Sequence, residues 1–162
     1  MTAARPERKA HRWAAAFAAM IGLFALPVLA ATTERVVTNR YTGLAIDGFD
    51  PVAYFVDAAP KLGRAELEWQ SAGATWRFAN EGNRAAFAAA PDVYMPEFGG
   101  YDPAAMARSV ATAGNPELWL IERKRLYLFY DEETRAAFAA DPDAVLAAAE
   151  RHWPEVRRTL AP

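Results

Sequence analysis

ATWRFANEGNRAAFAAAPDVYMPEFGGYD, residues 74–102, carries a strand, a capped helix and a glycine turn in one run. Trp76 and Phe78 alternate with Thr75 and Arg77, the period-two pattern of a half-buried strand. Asn80 is a helix N-cap, with a side-chain oxygen suited to take an orphan N–H of the first turn; it opens a helix over Glu81–Ala89 that buries Phe87. That helix must stop before Pro91, because a proline pushes its predecessor out of the α region. Gly99 and Gly100 then permit either a positive φ or the close approach of another backbone. Asp102-Pro103 follows, a capping carboxylate ahead of a residue preset for a helical first turn.

On the N-terminal side, Glu66–Gln70 and Ala74–Ala79 flank Ser71-Ala72-Gly73, which predicts a β-hairpin closed by a three-residue loop. Leu67 and Trp69 on one strand, and Trp76 and Phe78 on the other, are expected to point inward. Asp47-Gly48 is a turn, and Asp50-Pro51 uses the same cap-then-proline device as Asp102-Pro103. On the C-terminal side, a short helix after Asp102 is expected to reach Val110, and Ala111–Pro116 reads as a linker. Glu117–Ile121 and Leu126–Tyr130 predict a second hairpin around Glu122–Arg125. Both its strands are apolar on both faces, which places them centrally. Asp131 caps a helix to about Ala140, and Asp141-Pro142 starts another toward Arg151. Trp153-Pro154 is expected to close or bend that last helix, and His152 to meet the carbonyls at its end.

The chain repeats itself at an offset of 51. Glu66-Leu67 meets Glu117-Leu118, Trp76 meets Tyr127, Phe78 meets Phe129, and Asn80-Glu81 meets Asp131-Glu132. Residues 84–89, RAAFAA, then recur as residues 135–140, and Pro91-Asp92 as Pro142-Asp143. Two copies are too few for a solenoid. The expected architecture is therefore α+β: a single compact domain of two β-hairpins forming a small antiparallel sheet packed with short helices, as a ββα pseudo-repeat.

With 162 residues, 53% of them hydrophobic, the chain supports one core and hardly two. It has no cysteine, which removes disulfides, thiolate nucleophiles and cysteine-ligated metals. Its two histidines, His11 and His152, exclude a multi-histidine metal site within one chain. Residues 1–30 have the layout of a secretory signal: a basic start from Arg5 to Arg12, an apolar run from Trp13 to Leu26, then Pro27-Val28-Leu29-Ala30-Ala31, with cleavage expected after Ala30. The alternative is a retained anchor, since Trp13–Ala31 approaches the ~20 uncharged residues that span a bilayer. Cleavage implies a periplasmic or secreted protein with no stable membrane insertion. It also removes four basic side chains and one acidic one, taking the formal charge from −2 to −5. No basic stripe remains, which argues against a nucleic-acid partner. Residues 31–42 read as a lead-in and 43–160 as the domain.

Gly48-Phe49-Asp50-Pro51-Val52-Ala53-Tyr54-Phe55, Gly73–Ala79, Asn83–Phe87, Pro91–Tyr94 and Glu97–Tyr101 occur in an order that resembles the exported YHS-domain proteins. The likeness extends through Leu126-Tyr127-Leu128 and Trp153-Pro154, covering most of residues 43–154. The resemblance implies a small domain associated with metal sites. It also implies that Ala53, Ala79 and Asn83 stand where metal-binding relatives carry cysteine, and that Asp102 stands where the exported branch commonly has cysteine after Gly-Gly-Tyr.

Asp102 has two compatible readings, a helix cap and a residue facing a small ligand at a cleft. Asp50 shares them. The expected site lies where Asp50–Tyr54 and Gly99–Asp102 converge, comprising Asp50, Tyr54, Gly99, Gly100, Tyr101 and Asp102. It would serve a small ligand or a protein partner, with no catalytic residue, cofactor or metal expected. One alternative is a metal protein or enzyme using carboxylates (Asp47, Asp50, Glu97, Asp102) in place of sulfur; another is a structural module for protein–protein contact. Met95 and Met106 read as packing rather than copper ligands. No nucleophile motif or phosphate loop is present, which argues against covalent hydrolysis and nucleotide chemistry.

Overall fold

The computed structural model describes Met1 and residues 34–161. The expected signal segment and the cleavage expected after Ala30 therefore lie outside the described residues. Among the described residues no helix is long and apolar enough to cross a membrane.

Among the described residues, two strand pairs and six α-helices build an α+β domain: α1 (Ala53–Val56), β1 (Arg64–Ser71), β2 (Ala74–Phe78), α2 (Glu81–Ala89), α3 (Pro91–Tyr94), α4 (Pro103–Met106), β3 (Asn115–Glu122), β4 (Arg125–Phe129), α5 (Glu132–Ala140) and α6 (Pro142–Thr159). β1 pairs with β2 and β3 with β4, both antiparallel, and each hairpin keeps its own two-stranded ladder. Both hairpins close through two-residue turns, so the three-residue loop expected at Ser71–Gly73 is corrected. Ser71 pairs with Ala74, which leaves Ala72 (φ 53°) and Gly73 (φ 81°) as the turn; Glu122 pairs with Arg125 around Arg123 (φ 51°) and Lys124 (φ 62°). Positive φ at both central residues matches the right-handed twist of the flanking strands.

The sequence echo is a structural duplication, and it reaches further than the alanine-rich matches. The ladder of the first hairpin breaks register between Arg64 and Glu68, and that of the second between Asn115 and Trp119, again 51 residues on. Phe87 packs on Trp76 and Phe78 at ring distances of 5.1 and 5.2 Å; Phe138 packs on Tyr127 and Phe129 at 5.1 and 5.2 Å. Ahead of the hairpins the offset becomes 52. Ile46, Asp47 and Gly48 form a tight 3-10 turn with positive φ, as do Phe98, Gly99 and Gly100. Asp50 and Asp102 then open α1 and α4.

Asn80 and Asp131 cap α2 and α5 as their sequence positions predict, each accepting the N–H three residues on. Other expectations fail: α4 stops at Met106 rather than reaching Val110, and β3 already begins at Asn115, inside the expected linker. α6 runs through Pro154 to Thr159, so His152 lies inside the helix with its Nδ1 buried and unpartnered among the described residues. Trp69 is 44% exposed, although Leu67 is buried. The register break before Glu68 uncouples their faces, and a β-bulge has this effect because it inserts residues without partners.

The core has two compartments, and β4 belongs to both. Leu126 and Leu128 join Tyr54, Trp76, Phe78 and Phe87, while Tyr127 and Phe129 join Tyr101, Met106, Phe138 and Leu146. Alternation along one strand thus feeds opposite faces. Each fully buried aromatic ring contributes about 1.5–3 kcal/mol relative to exposure. The lead-in is part of this core: Val36 enters the first compartment and Val37 the second, and Val37 N–H donates to the Gly99 carbonyl at 2.8 Å.

Candidate functional site

Of the three Asp-Pro aspartates, Asp50 and Asp102 are fully buried, and most of their acceptor sites are taken by backbone donors. Asp50 Oδ1 accepts from the N–H groups of Val52 (2.9 Å) and Ala53 (3.4 Å); its Oδ2 accepts from Ala79 N–H (2.8 Å) and Asn83 Nδ2 (2.6 Å). Asp102 Oδ1 accepts from Ala104 (2.7 Å) and Ala105 (3.0 Å), and Oδ2 from Tyr130 N–H at 2.7 Å. Asp102 therefore caps α4, Asp50 holds the Pro51-Val52 turn that leads into α1, and each carboxylate ties its segment to the end of the hairpin that follows. Charge-assisted bonds of this kind are among the stronger ones in a fold. Ala53 and, from about thirty residues further on, Ala79 and Asn83 meet at the Asp50 carboxylate.

Tyr54 is equally enclosed. Its hydroxyl donates to the Pro116 carbonyl at 2.9 Å, and burial, reinforced by the charges of Asp50 and Glu117, pushes its phenol well above the ordinary value. Tyr101 is buried in the other compartment and donates to the Glu34 carbonyl at 2.6 Å. Gly99 and Gly100 hold the positive-φ turn over which residues 35–37 lie; a Cβ on Gly99 would fall 2.0 Å from the Arg35 carbonyl oxygen. Of the six residues expected to form one pocket, Gly99 alone borders the cavity described next. Asp50 and Tyr54 lie against one core compartment, and Tyr101 lies in the other. Among the described residues no three His, Asp or Glu side chains gather as a metal site.

The cavity encloses about 380 Å³, within the roughly 300–1,000 Å³ range of small-molecule sites. Trp76 and Trp153 supply aromatic walls, with Met95 and Pro96 beside them and the Ala72–Gly73 turn at the edge. Arg35 and Arg157 are its charged members, and among the described residues no acidic side chain lines it. Neither guanidinium forms an ion pair among the described residues, and Arg35 Nε is buried without an acceptor. Trp153 is braced edge-on against Phe98 at 5.9 Å. Arg35, Trp153 and Arg157 escape a reading by motif because they come from opposite ends of the chain. The one signal available is the i, i+4 spacing of Trp153 and Arg157, which puts them on one helix face only if the helix continues past Pro154.

This site is built where the two halves differ. α3 has four residues, whereas its counterpart α6 has eighteen, and the added turns carry Trp153 and Arg157.

Near the cavity, Glu97 pairs with Arg125 at 2.6 Å, yet its carboxyl is held above the ordinary 4.5: burial raises it, and outweighs the lowering by Arg125, while Glu150 raises it further. Burial and the Glu97 charge likewise push Tyr127 up to about 12. The folded state thus holds the Glu97 proton more tightly than the unfolded chain does. The resulting stabilisation is fully present below pH 4.5 and is lost as pH rises through the raised folded value. Urea midpoints across that window should fall more steeply with rising pH in the parent protein than in Glu97→Gln; equal slopes would refute the assignment.

Comparison of the chain with protein-family models, with curated proteins and with solved structures gives no match.

Proposed function

We propose that the chain is an exported, non-catalytic binding domain of the YHS type that holds a small ligand in the cavity between Arg35 and Arg157. The observation that carries this reading is the cavity itself, an aromatic-walled space lined by two arginines that form no ion pair among the described residues. The knot at Asp50 supports the family part of the reading. Ala53, Ala79 and Asn83, the positions where the resemblance implies thiolate ligands, converge in space, and an internal carboxylate fills the point between them. The donors already bound to Asp50 and Asp102 leave little for either carboxylate to offer a substrate.

Native mass spectrometry of protein purified from its own compartment tests the reading. The expected result is a chain beginning at Ala31 with one organic molecule bound. A stoichiometric metal that is lost in Asp102→Ala would instead establish a carboxylate metal protein. A bare chain held by a second polypeptide would establish an interaction module.

A further inference from the structure

We infer that the ligand is an amphipathic organic monoanion, with a carboxylate head held by Arg35 and Arg157 and an apolar body lying against Trp76, Trp153 and Met95. The inference rests on the binding reading above and specifies its chemistry.

Three features select the charge. The chain is acidic overall, with a formal charge of −2, so a space lined by two arginines and, among the described residues, no acid runs against the net field. Two like charges lining one cavity repel each other, and an anion between them offsets that repulsion. Among the described residues Arg35 Nε is buried and has no acceptor, an unmet donor of the kind that a ligand oxygen can satisfy. Guanidinium groups match a carboxylate through paired N–H donors, which a point charge such as lysine does not reproduce.

The remaining surface selects the body. Val36, Met95, Pro96, Trp76 and Trp153 offer aliphatic and indole area, which favours an apolar chain or ring over a sugar or nucleobase needing its own hydrogen-bond partners. A small inorganic anion would satisfy the arginines and leave this surface uncovered.

The test uses the exported protein, titrated with decanoate, with 4-phenylbutyrate, with the neutral 4-phenylbutanamide and with inorganic phosphate. Binding is followed by calorimetry and by tryptophan fluorescence, to which Trp76 and Trp153 report directly. At least one of the two acids should bind one to one, and the amide should bind at least tenfold more weakly than 4-phenylbutyrate. Arg157→Glu, at an exposed position, should weaken acid binding tenfold or more, and Arg35→Gln should do the same. Arg108→Glu, a charge reversal outside the cavity, should not. Equal affinity for acid and amide would overturn the anionic class while leaving a binding domain intact. Phosphate binding as tightly as the acids would overturn the amphipathic body. The absence of saturable binding by either acid overturns the inference as well; native spectra that still show a bound organic mass would then place the error in the ligand class rather than in the binding function.

Discussion

Asp50→Ala should destabilise the fold by about 3–5 kcal/mol, the range seen when one partner of a buried charged network is removed. The substitution strands four donors at once, those of Val52, Ala53, Ala79 and Asn83, in a site closed to water. Each unsatisfied buried donor carries a penalty of about 1–3 kcal/mol, partly relieved where the cavity admits solvent. Asp102→Ala, which strands three donors, should follow closely. Asn80→Ala gives the scale. Asn80 is also an N-cap but is exposed, and its loss should cost only about 1 kcal/mol. Asp50→Asn should fall between, because an amide keeps one oxygen in place and turns N–H groups against the donors on the other side. Urea denaturation of the four variants decides the matter. A loss below about 1 kcal/mol for Asp50→Ala would mean that the knot is not what holds α1 to the hairpin.

Gly99→Ala should act on stability and binding together. The position has φ 67°, which costs an L-residue about 1–2 kcal/mol. The added Cβ also meets the Arg35 carbonyl oxygen at 2.0 Å, so the segment carrying Arg35 must move. Overpacking of this kind adds about 1–3 kcal/mol. The hydrogen bond from Val37 N–H to the Gly99 carbonyl is the contact most directly disturbed. The expected outcome is a urea midpoint well below that of the parent and a weaker hold on any ligand that uses Arg35. A variant with parental stability would show that residues 35–37 do not depend on the glycine.

The frame of the molecule was readable from residue patterns because its signals are local. Asn80 and Asp131 announce their helices within three residues, and the recurrence of RAAFAA exposed half of a duplication whose other half, the paired 3-10 turns, is marked only by the shared Asp-Pro device at a different offset, 52 in place of 51. The Gly99-Gly100 pair was likewise legible as a turn or a close approach, and it proves to be both. The cavity was not legible. Arg35 sits in a polar lead-in with no periodic pattern, and Arg157 lies beyond a proline that ordinarily ends a helix. Their meeting depends on residues 34–37 crossing the Gly99 turn and on α6 persisting, and both are settled by tertiary packing. The same limit applies to Asp50 and Asp102. Spacing identified them as caps, and proximity of motif suggested a shared pocket; each is instead consumed by its own half.

The shared strand β4 changes what the duplication means for the behaviour of the chain. Two copies of a module commonly melt as two units, each surviving the loss of the other. Here consecutive residues of one strand, Leu126 to Phe129, are divided between both compartments, so neither can dissolve while the other stays closed. The repeat visible in geometry is therefore expected to be silent in thermodynamics, with both halves melting in one cooperative transition.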